Sequence, residues 1–297
     1  GVQSTGTGAC PKHFALNNCE NHRYMSDSVI DERAARELYL KSFEICVREG
    51  KPWTMMCAYN KINGTHCSEN KWLLTDILRT EWGFDGLMMT DWGATRDRLA
   101  GVRAGLDLDM PGGIWENRKA IIEAAKSGAL PIEALDQAVG NVLRLIERCR
   151  PTMDRPADMK VLLERHNVLA TDIAADCAVL LKNDGVLPLK GTEKLLVVGD
   201  LFEKMRYQGA GSSGLNPAHL ASPKMAFDQT QIKYTFAQGY REMEHEPNYA
   251  LEEEALVAAK EVDTVLFFGG LTELFESEGF DRDDLSIPQN QLTLIDK

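Results

Sequence analysis

The sequence predicts an α/β protein of buried parallel strands, arranged in two domains. Three observations predict it. Apolar, strand-compatible runs alternate with amphipathic helical stretches, the pattern of βαβ units in a parallel sheet. The clearest run, Leu87-Met88-Met89-Thr90, stops abruptly at Asp91-Trp92-Gly93, as a parallel strand does when reacting groups occupy its carboxyl end. A polar, proline-bearing stretch from Arg150-Pro151 to Pro156-Ala157 then interrupts the pattern near mid-chain, as a domain joint does.

Taken in order, Gly6 to Phe14 reads as a short buried strand ending in Lys12-His13, followed by an irregular polar loop holding Asn17, Asn18, Glu20 and Arg23. A Lys-His pair at a strand end can donate several hydrogen bonds to one hydroxylated ligand, or it is a satisfied surface pair. Asp31-Glu32-Arg33 opens a helix through Glu49, with Leu38, Leu40, Phe43, Ile45 and Val47 near helical spacing. Gly50-Lys51-Pro52 ends it. Trp53 to Asn60 is a second strand, Asn63-Gly64 a turn, Trp72 to Trp82 a helix and Leu87 to Asp91 a third strand. Ala100 to Leu108 continues as a short βα unit, Ile114 to Lys126 is helical, and Pro131 to Cys149 is amphipathic, with Ile132, Leu135, Val139, Val142, Leu143 and Ile146 on one face. Beyond the joint, His166 to Lys182 is a helix ended by Asn183-Asp184-Gly185. Leu195 to Asp200 is a strand, Tyr249 to Glu261 a helix and Val262 to Gly269 another strand. About four strands fall in the first half, whereas a closed (β/α)₈ barrel needs eight.

With Lys plus Arg at 33 and Asp plus Glu at 45, the net charge is −12 and no basic block offsets it. Such a chain is a poor partner for nucleic acid or for an anionic membrane, and no apolar run approaches a membrane span. The seven cysteines form no C-x-x-C pair and the six histidines no metal-ligand spacing, so neither a metal nor a cofactor is expected. Scattered cysteines of this kind fit a reduced, intracellular enzyme. Gly209-Ala210-Gly211-Ser212-Ser213-Gly214 matches G-x-G-x-x-G, but several residues separate it from the strand at Val198 and Leu215-Asn216-Pro217 follows it. A dinucleotide fingerprint lies directly between strand and helix, so this stretch reads instead as a loop whose glycines let a ligand come close.

Asp91 reads as a carboxylate at a strand tip with Trp92 as an apolar wall, or else as the cap of the next helix. Glu273, Glu276, Glu278, Asp281 and Arg282 form a second acidic cluster, after the strand Thr264-Val265-Leu266-Phe267-Phe268. It is either a solvated loop or the source of a second carboxylate. Two carboxylates, one ionised and one holding a proton near neutral pH, are what cleavage of a glycosidic bond requires.

Six stretches then resemble one family in its own order. They are Lys12-His13-Phe14-Ala15-Leu16-Asn17-Asn18, Met56 to Gly64, Gly83 to Gly93, Gly105 to Gly112, Val179 to Leu189, and Glu276-Ser277-Glu278-Gly279-Phe280-Asp281-Arg282. The chain resembles β-glucosidases of glycoside hydrolase family 3, of the bacterial, cytoplasmic type. The resemblance implies the C-terminal part of a (β/α)₈ TIM-like barrel over 1–150, a linker over 151–165 and the N-terminal part of an α/β sandwich over 166–297. The chain is then an interior piece, with segments expected on both sides. It implies a retaining exo-β-glucosidase acting on terminal non-reducing β-D-glucosyl residues, with Asp91 the nucleophile that forms a covalent glycosyl-enzyme. Lys12, His13 and Arg23 would bind sugar hydroxyls, Tyr59 would hydrogen-bond the nucleophile and Trp92 would line the subsite. Glu276 would be the acid/base, with Glu273 the alternative. A β-xylosidase of the same family and an inactive sugar-binding fragment are the competing readings. The expected partner is a small β-glucoside or cello-oligosaccharide, with no nucleic acid or membrane and with homo-oligomers left open. The expected location is the cytoplasm, secretion being left open.

Overall fold

In the first of two units, Gly1–Leu162, four stretches of backbone run parallel and side by side. The computed structural model describes residues 1–154 and 156–297. In chain order, β1 (Asp27–Ser28), α1 (Glu32–Ala34) and α2 (Lys41–Ile45) lead to β2 (Thr54–Cys57). Wider π-type turns over Ala35–Tyr39 and Cys46–Gly50 make one long helix of α1 and α2. Asp31 caps it, its side chain accepting from the Ala34 N–H at 2.9 Å. The buried face is Ala35, Leu40 and Val47; Leu38 and Ile45, expected inside, lie on the outer side. A hairpin of β3 (Lys61–Ile62) and β4 (Thr65–His66) turns at Asn63-Gly64, both with positive φ, as such a two-residue turn requires. A π-type helix over Trp72–Glu81 buries Leu73, Leu74, Ile77 and Leu78.

Strand β5 (Leu87–Thr90) pairs in parallel with β2, Thr54 opposite Leu87 and Cys57 opposite Thr90. The expected first strand is irregular: it follows β2 through Thr54 N to Ala9 O and Met56 N to Pro11 O, and makes its one bridge at Phe14 with Cys57. Pro11 has no N–H to donate, which limits a regular ladder there. On the far side Leu108 bridges Met89, and α3 (Arg98–Ala104) precedes it, so the predicted βα unit runs in the order αβ. α4 (Trp115–Ser127) and α5 (Ile132–Met153) complete the unit. In α5 the buried positions are Ala138 and Asn141, while Ile132, Val139, Leu143 and Ile146 are exposed. The predicted apolar face of this helix is therefore not its buried face.

The expected linker over 151–165 is largely helical. α5 runs through Pro151 to Met153 and α6 spans Met159–Asp176; Arg155 lies outside the described residues. The Thr152 hydroxyl donates to Gly6 O at 3.0 Å, fastening the last turn of α5. α6 also ends earlier than the predicted helix. Val179, Leu180 and Leu181 are exposed coil, and the Asn183 side chain accepts from the N–H groups of Gly185 and Leu187. An Asx turn of this kind keeps 183–187 out of a helix, as the Asn183-Asp184-Gly185 stretch predicts.

The second unit, Leu163–Lys297, is built on the buried strand β6 (Leu195–Val198). After α7 (Pro223–Asp228), β7 (Tyr234–Ala237) pairs with one edge of β6. After α8 (Tyr249–Ala259), β8 (Thr264–Phe267) pairs with the other, all in parallel. Sequence reading finds β6 and β8 and misses β7, of whose four residues only Ala237 is buried. α9 (Gln289–Asp296) closes the unit. Phe202 lies at the centre of its aromatic core, with Phe227, Tyr234, Phe236 and Phe268 at centroid distances of 5.4, 5.5, 5.7 and 5.0 Å. The order β7-β6-β8 reverses between β6 and β8, and ligands of open α/β sheets bind beyond the carboxyl ends of strands at such a reversal.

Candidate active site

Register assembles the candidate site of the first unit. Phe14 bridges Cys57, and Cys57 is opposite Thr90, so three neighbouring segments reach their carboxyl ends together. His13, Tyr59 and Asp91 lie within two residues of that row. His13 Nε2 is 3.1 Å from Asp91 Oδ2. The Trp92 N–H donates to Asp91 Oδ1 at 2.8 Å. The Tyr59 hydroxyl donates to the Trp92 carbonyl at 3.1 Å, rather than being committed to the carboxylate alone. Thr90, one residue back, is locked from the far side: its N–H donates to Leu108 O at 3.0 Å and its hydroxyl accepts from Met110 N at 2.8 Å.

These contacts set the charge state of Asp91. Burial works to raise the carboxyl, but hydrogen bonds from His13, the Trp92 N–H and Tyr59 outweigh it and hold it below the usual aspartate range. Tyr59 moves the other way: burial, Tyr24 and the Asp91 charge all push its phenol up, so it stays a neutral hydrogen-bond donor. Asp91 is therefore an ionised carboxylate at a strand tip, its side chain only 13% exposed.

Arg23 joins the same cluster. Its guanidinium stacks 4.6 Å from the Tyr59 ring centroid and 5.4 Å from that of Tyr24, and its Nη1 is 2.9 Å from Glu20 Oε2. The two tyrosine rings are 4.4 Å apart. Lys12 is exposed, and its peptide bond to His13 is cis. Trp92 presents a half-exposed indole. All five residues of unit 1 assigned from sequence to substrate binding thus lie in or beside the stretches that carry Asp91. Of the two residues that fix Arg23, Glu20 falls in the polar loop named from sequence, while Tyr24 carries no periodic pattern that singles it out.

Beneath the strand tips a buried network holds β5. Asp107 accepts from Met88 N at 2.7 Å, Arg79 Nη2 at 2.7 Å and Asn141 Nδ2 at 2.9 Å. Burial nonetheless raises its carboxyl, against the pull of Arg79.

In the second unit the acidic loop follows β8. Gly199, just after β6, has φ of 126°, and a Cβ there would lie 2.2 Å from the Phe268 carbonyl oxygen. Only glycine lets the two strand ends approach so closely. Phe275 N and Glu276 N both donate to Thr272 O, at 3.0 and 3.1 Å, forming one turn that carries the acids. Glu276 Oε2 is 3.1 Å from Arg206 Nη1, and its side chain is 54% exposed. Glu273 is exposed. Glu278 accepts from the N–H of Ser212 at 2.7 Å and from its hydroxyl. A Cβ on Gly211 would lie 2.6 Å from the Glu278 side chain. The glycine-rich stretch thus admits the protein's own carboxylate rather than a dinucleotide, and no helix starts there. Arg206 and Ser212, some 70 and 66 residues from their partners, carry no local pattern that sequence reading could use.

Residues 1–145 match the glycosyl hydrolase family 3 N-terminal domain, and residues 178–297 match the C-terminal domain of the same family. The chain belongs to glycosyl hydrolase family 3. It is 44% identical to the thermostable β-glucosidase B of Acetivibrio thermocellus, aligning over all of this chain and 40% of that protein. It is 41% identical to an exo-α-(1→6)-L-arabinopyranosidase of Bifidobacterium breve, with the same coverage of each. The crystal structure of the Bifidobacterium adolescentis family 3 β-glucosidase superposes with a TM-score of 0.92 at 41% identity, covering all of this chain and 43% of that one. The family 3 chain described here thus spans about 40% of the length of the curated relatives it matches. Its fold is α/β with a TIM-barrel-like N-terminal domain. Among the described residues no group of three His, Cys, Asp or Glu side chains could hold a metal ion, and no helix is long and apolar enough to cross a membrane.

Proposed function

We propose that this chain carries the catalytic residues of a retaining exo-β-glucosidase, with Asp91 as nucleophile. The observation that carries the reading is Asp91 itself: a carboxylate at the end of β5, kept ionised against burial by His13, the Trp92 N–H and Tyr59. In fold terms the reading takes residues 1–150 as the second half of a (β/α)₈ barrel and 166–297 as the start of an α/β sandwich.

The chemistry follows from that charge state. Asp91 attacks the anomeric carbon, and the bond to the glycosidic oxygen breaks as an acid delivers its proton to that oxygen. The aglycone leaves as an alcohol and the sugar remains as an ester on Asp91. The acid, now a base, takes a proton from water, which attacks the same carbon and frees the carboxylate. Glu276 is the proposed acid/base and Glu273 its alternative; both extend from the turn that begins at Thr272. Lys12, His13 and Arg23 supply donors to sugar hydroxyls, and Trp92 an apolar surface for a ring face.

The arabinopyranosidase relative supports a second substrate class, the pentopyranosides, β-xylosides included. These sugars lack the hydroxymethyl group of glucose. The protein expressed from its complete open reading frame, assayed on p-nitrophenyl β-glucoside, β-xyloside and α-L-arabinopyranoside, tests both. Preference for the glucoside sustains the reading, preference for a pentoside moves it to the second class, and hydrolysis of none leaves sugar binding as the function to measure.

A further inference from the structure

We propose that Thr272 is a positioning residue for the acid/base, holding the turn that carries the acidic side chains onto a cluster of Lys204 and Glu242 around the buried Asp200. The proposal rests on the two-carboxylate reading above and adds how the second carboxylate is kept in place.

The loop after β8 is fixed at its start and exposed at its end. Gln291, fully buried, accepts from Gly270 N and donates to Gly270 O, both at 2.9 Å. Two residues on, Thr272 is buried, and beyond it Glu273, Leu274 and Glu276 are exposed. Thr272 is thus the last buried residue before the acids, and its carbonyl oxygen is the acceptor for both N–H groups of the turn.

Its hydroxyl donates to Glu242 O at 3.1 Å. Glu242 is itself held twice. Its N–H donates to Asp200 Oδ2 at 3.1 Å, and its carboxylate lies 3.2 Å from Lys204 Nζ, which is 3.1 Å from the same Asp200 oxygen. Asp200, 1% exposed, directly follows the Val198-Gly199 end of β6. A continuous path of hydrogen bonds therefore runs from the central strand through Asp200, Glu242 and Thr272 to the acidic turn. Burying an aspartate is costly without partners, and the proposed reaction uses neither Asp200 nor Lys204 directly. Fixing the turn accounts for their placement.

Arg206 holds the turn from its other side, through Leu271 O at 3.5 Å and Glu276 O at 3.2 Å, but it also contacts the Glu276 carboxylate. Replacing Arg206 would change charge and position together. No hydrogen bond or ion pair described for Thr272 reaches a carboxylate, so Thr272→Val changes position alone.

Leaving-group dependence separates positioning from a merely structural role. Phenyl β-glucoside needs a proton on its departing oxygen, whereas 2,4-dinitrophenyl β-glucoside does not. In the complete protein, kcat/KM of Thr272→Val on the phenyl glucoside should fall about 10- to 100-fold, the scale of a misplaced catalytic group. On the dinitrophenyl glucoside it should fall no more than about twofold, because a good leaving group gains little from an acid. Thr272→Ser should restore the ratio, and Lys204→Met, altering an exposed ammonium, should shift it in the same direction by less. Equal losses on both substrates, or none, in Thr272→Val would overturn the proposal. If that variant does not fold, an unchanged ratio in Lys204→Met overturns it instead. The unmodified protein is measured first: if it cleaves neither glucoside, the two-carboxylate reading itself fails, and this proposal with it.

Discussion

The two acidic regions of this chain are built on opposite terms. Asp91 sits one residue past a paired, buried strand, with hydrogen-bonded neighbours on both flanks and a side chain 13% exposed. Glu276 sits on a single turn of a loop, 54% exposed, with Arg206 as its ion-pair partner. The difference matches the two chemical demands of the proposed roles. A nucleophile must meet one carbon atom in one direction, which favours a rigid strand tip. A group that first gives and then takes a proton works across a departing aglycone and an arriving water, and a loop anchored at its base allows both.

The largest test of the contrast is Asp91→Asn in the complete protein. It should lower kcat on aryl β-glucosides by about 10⁴-fold or more, as removal of a nucleophile does elsewhere, measured by release of p-nitrophenol. Next in size are Glu276→Gln, Glu273→Gln and Glu278→Gln compared side by side. The acid/base variant should lose about 10²- to 10⁴-fold on phenyl β-glucoside, and azide should restore turnover of the dinitrophenyl glucoside in that variant alone. If Glu278→Gln behaves so, the acid is the carboxylate held by Ser212, and Glu276 is a partner of Arg206.

A smaller effect is expected below the strand tips. Asp107→Asn keeps the shape but removes the charge facing Arg79, and should cost about 1–3 kcal/mol of stability, read as a lower urea midpoint. An unchanged midpoint would mean that the buried network does not hold β5. The smallest effect is a displacement in pH. His13 is the leading hydrogen bond that lowers the Asp91 carboxyl, so His13→Gln raises that pKa. At a given acidic pH less Asp91 is then ionised, and the acid limb of kcat/KM moves to higher pH. By the same sign, the stability that Asp91 contributes is present above its unfolded pKa and fades as pH falls through its lower folded value. An acid limb that stays in place would assign His13 to sugar binding alone.

The contrast also governs what could be read from sequence. Leu87 to Asp91 was legible because a buried parallel strand is a continuous apolar run, and an acid directly after it has few other reasons to be there. Tyr59 stands out in the same way, two residues past β2, whereas the stretch before Lys12 and His13 is irregular and only follows β2. The acidic loop was legible only as a cluster: no period distinguishes Glu273, Glu276 and Glu278, and the partners that do, Arg206, Ser212 and Glu242, come from other loops. The outer faces of the helices misled in the same way. Ile132, Val139, Leu143 and Ile146 make a regular apolar stripe, yet the buried positions of α5 are Ala138 and Asn141, the latter reaching Asp107.

The most direct measurement of the central claim is covalent capture. The complete protein is incubated with 2,4-dinitrophenyl 2-deoxy-2-fluoro-β-glucoside, digested, and its peptides weighed by mass spectrometry. The fluorine slows both steps, while the reactive aglycone lets the glycosyl-enzyme accumulate. The account predicts a single labelled peptide with the sugar on Asp91, and no label in Asp91→Asn. A label on any other carboxylate, or none while p-nitrophenyl β-glucoside is cleaved, would contradict it.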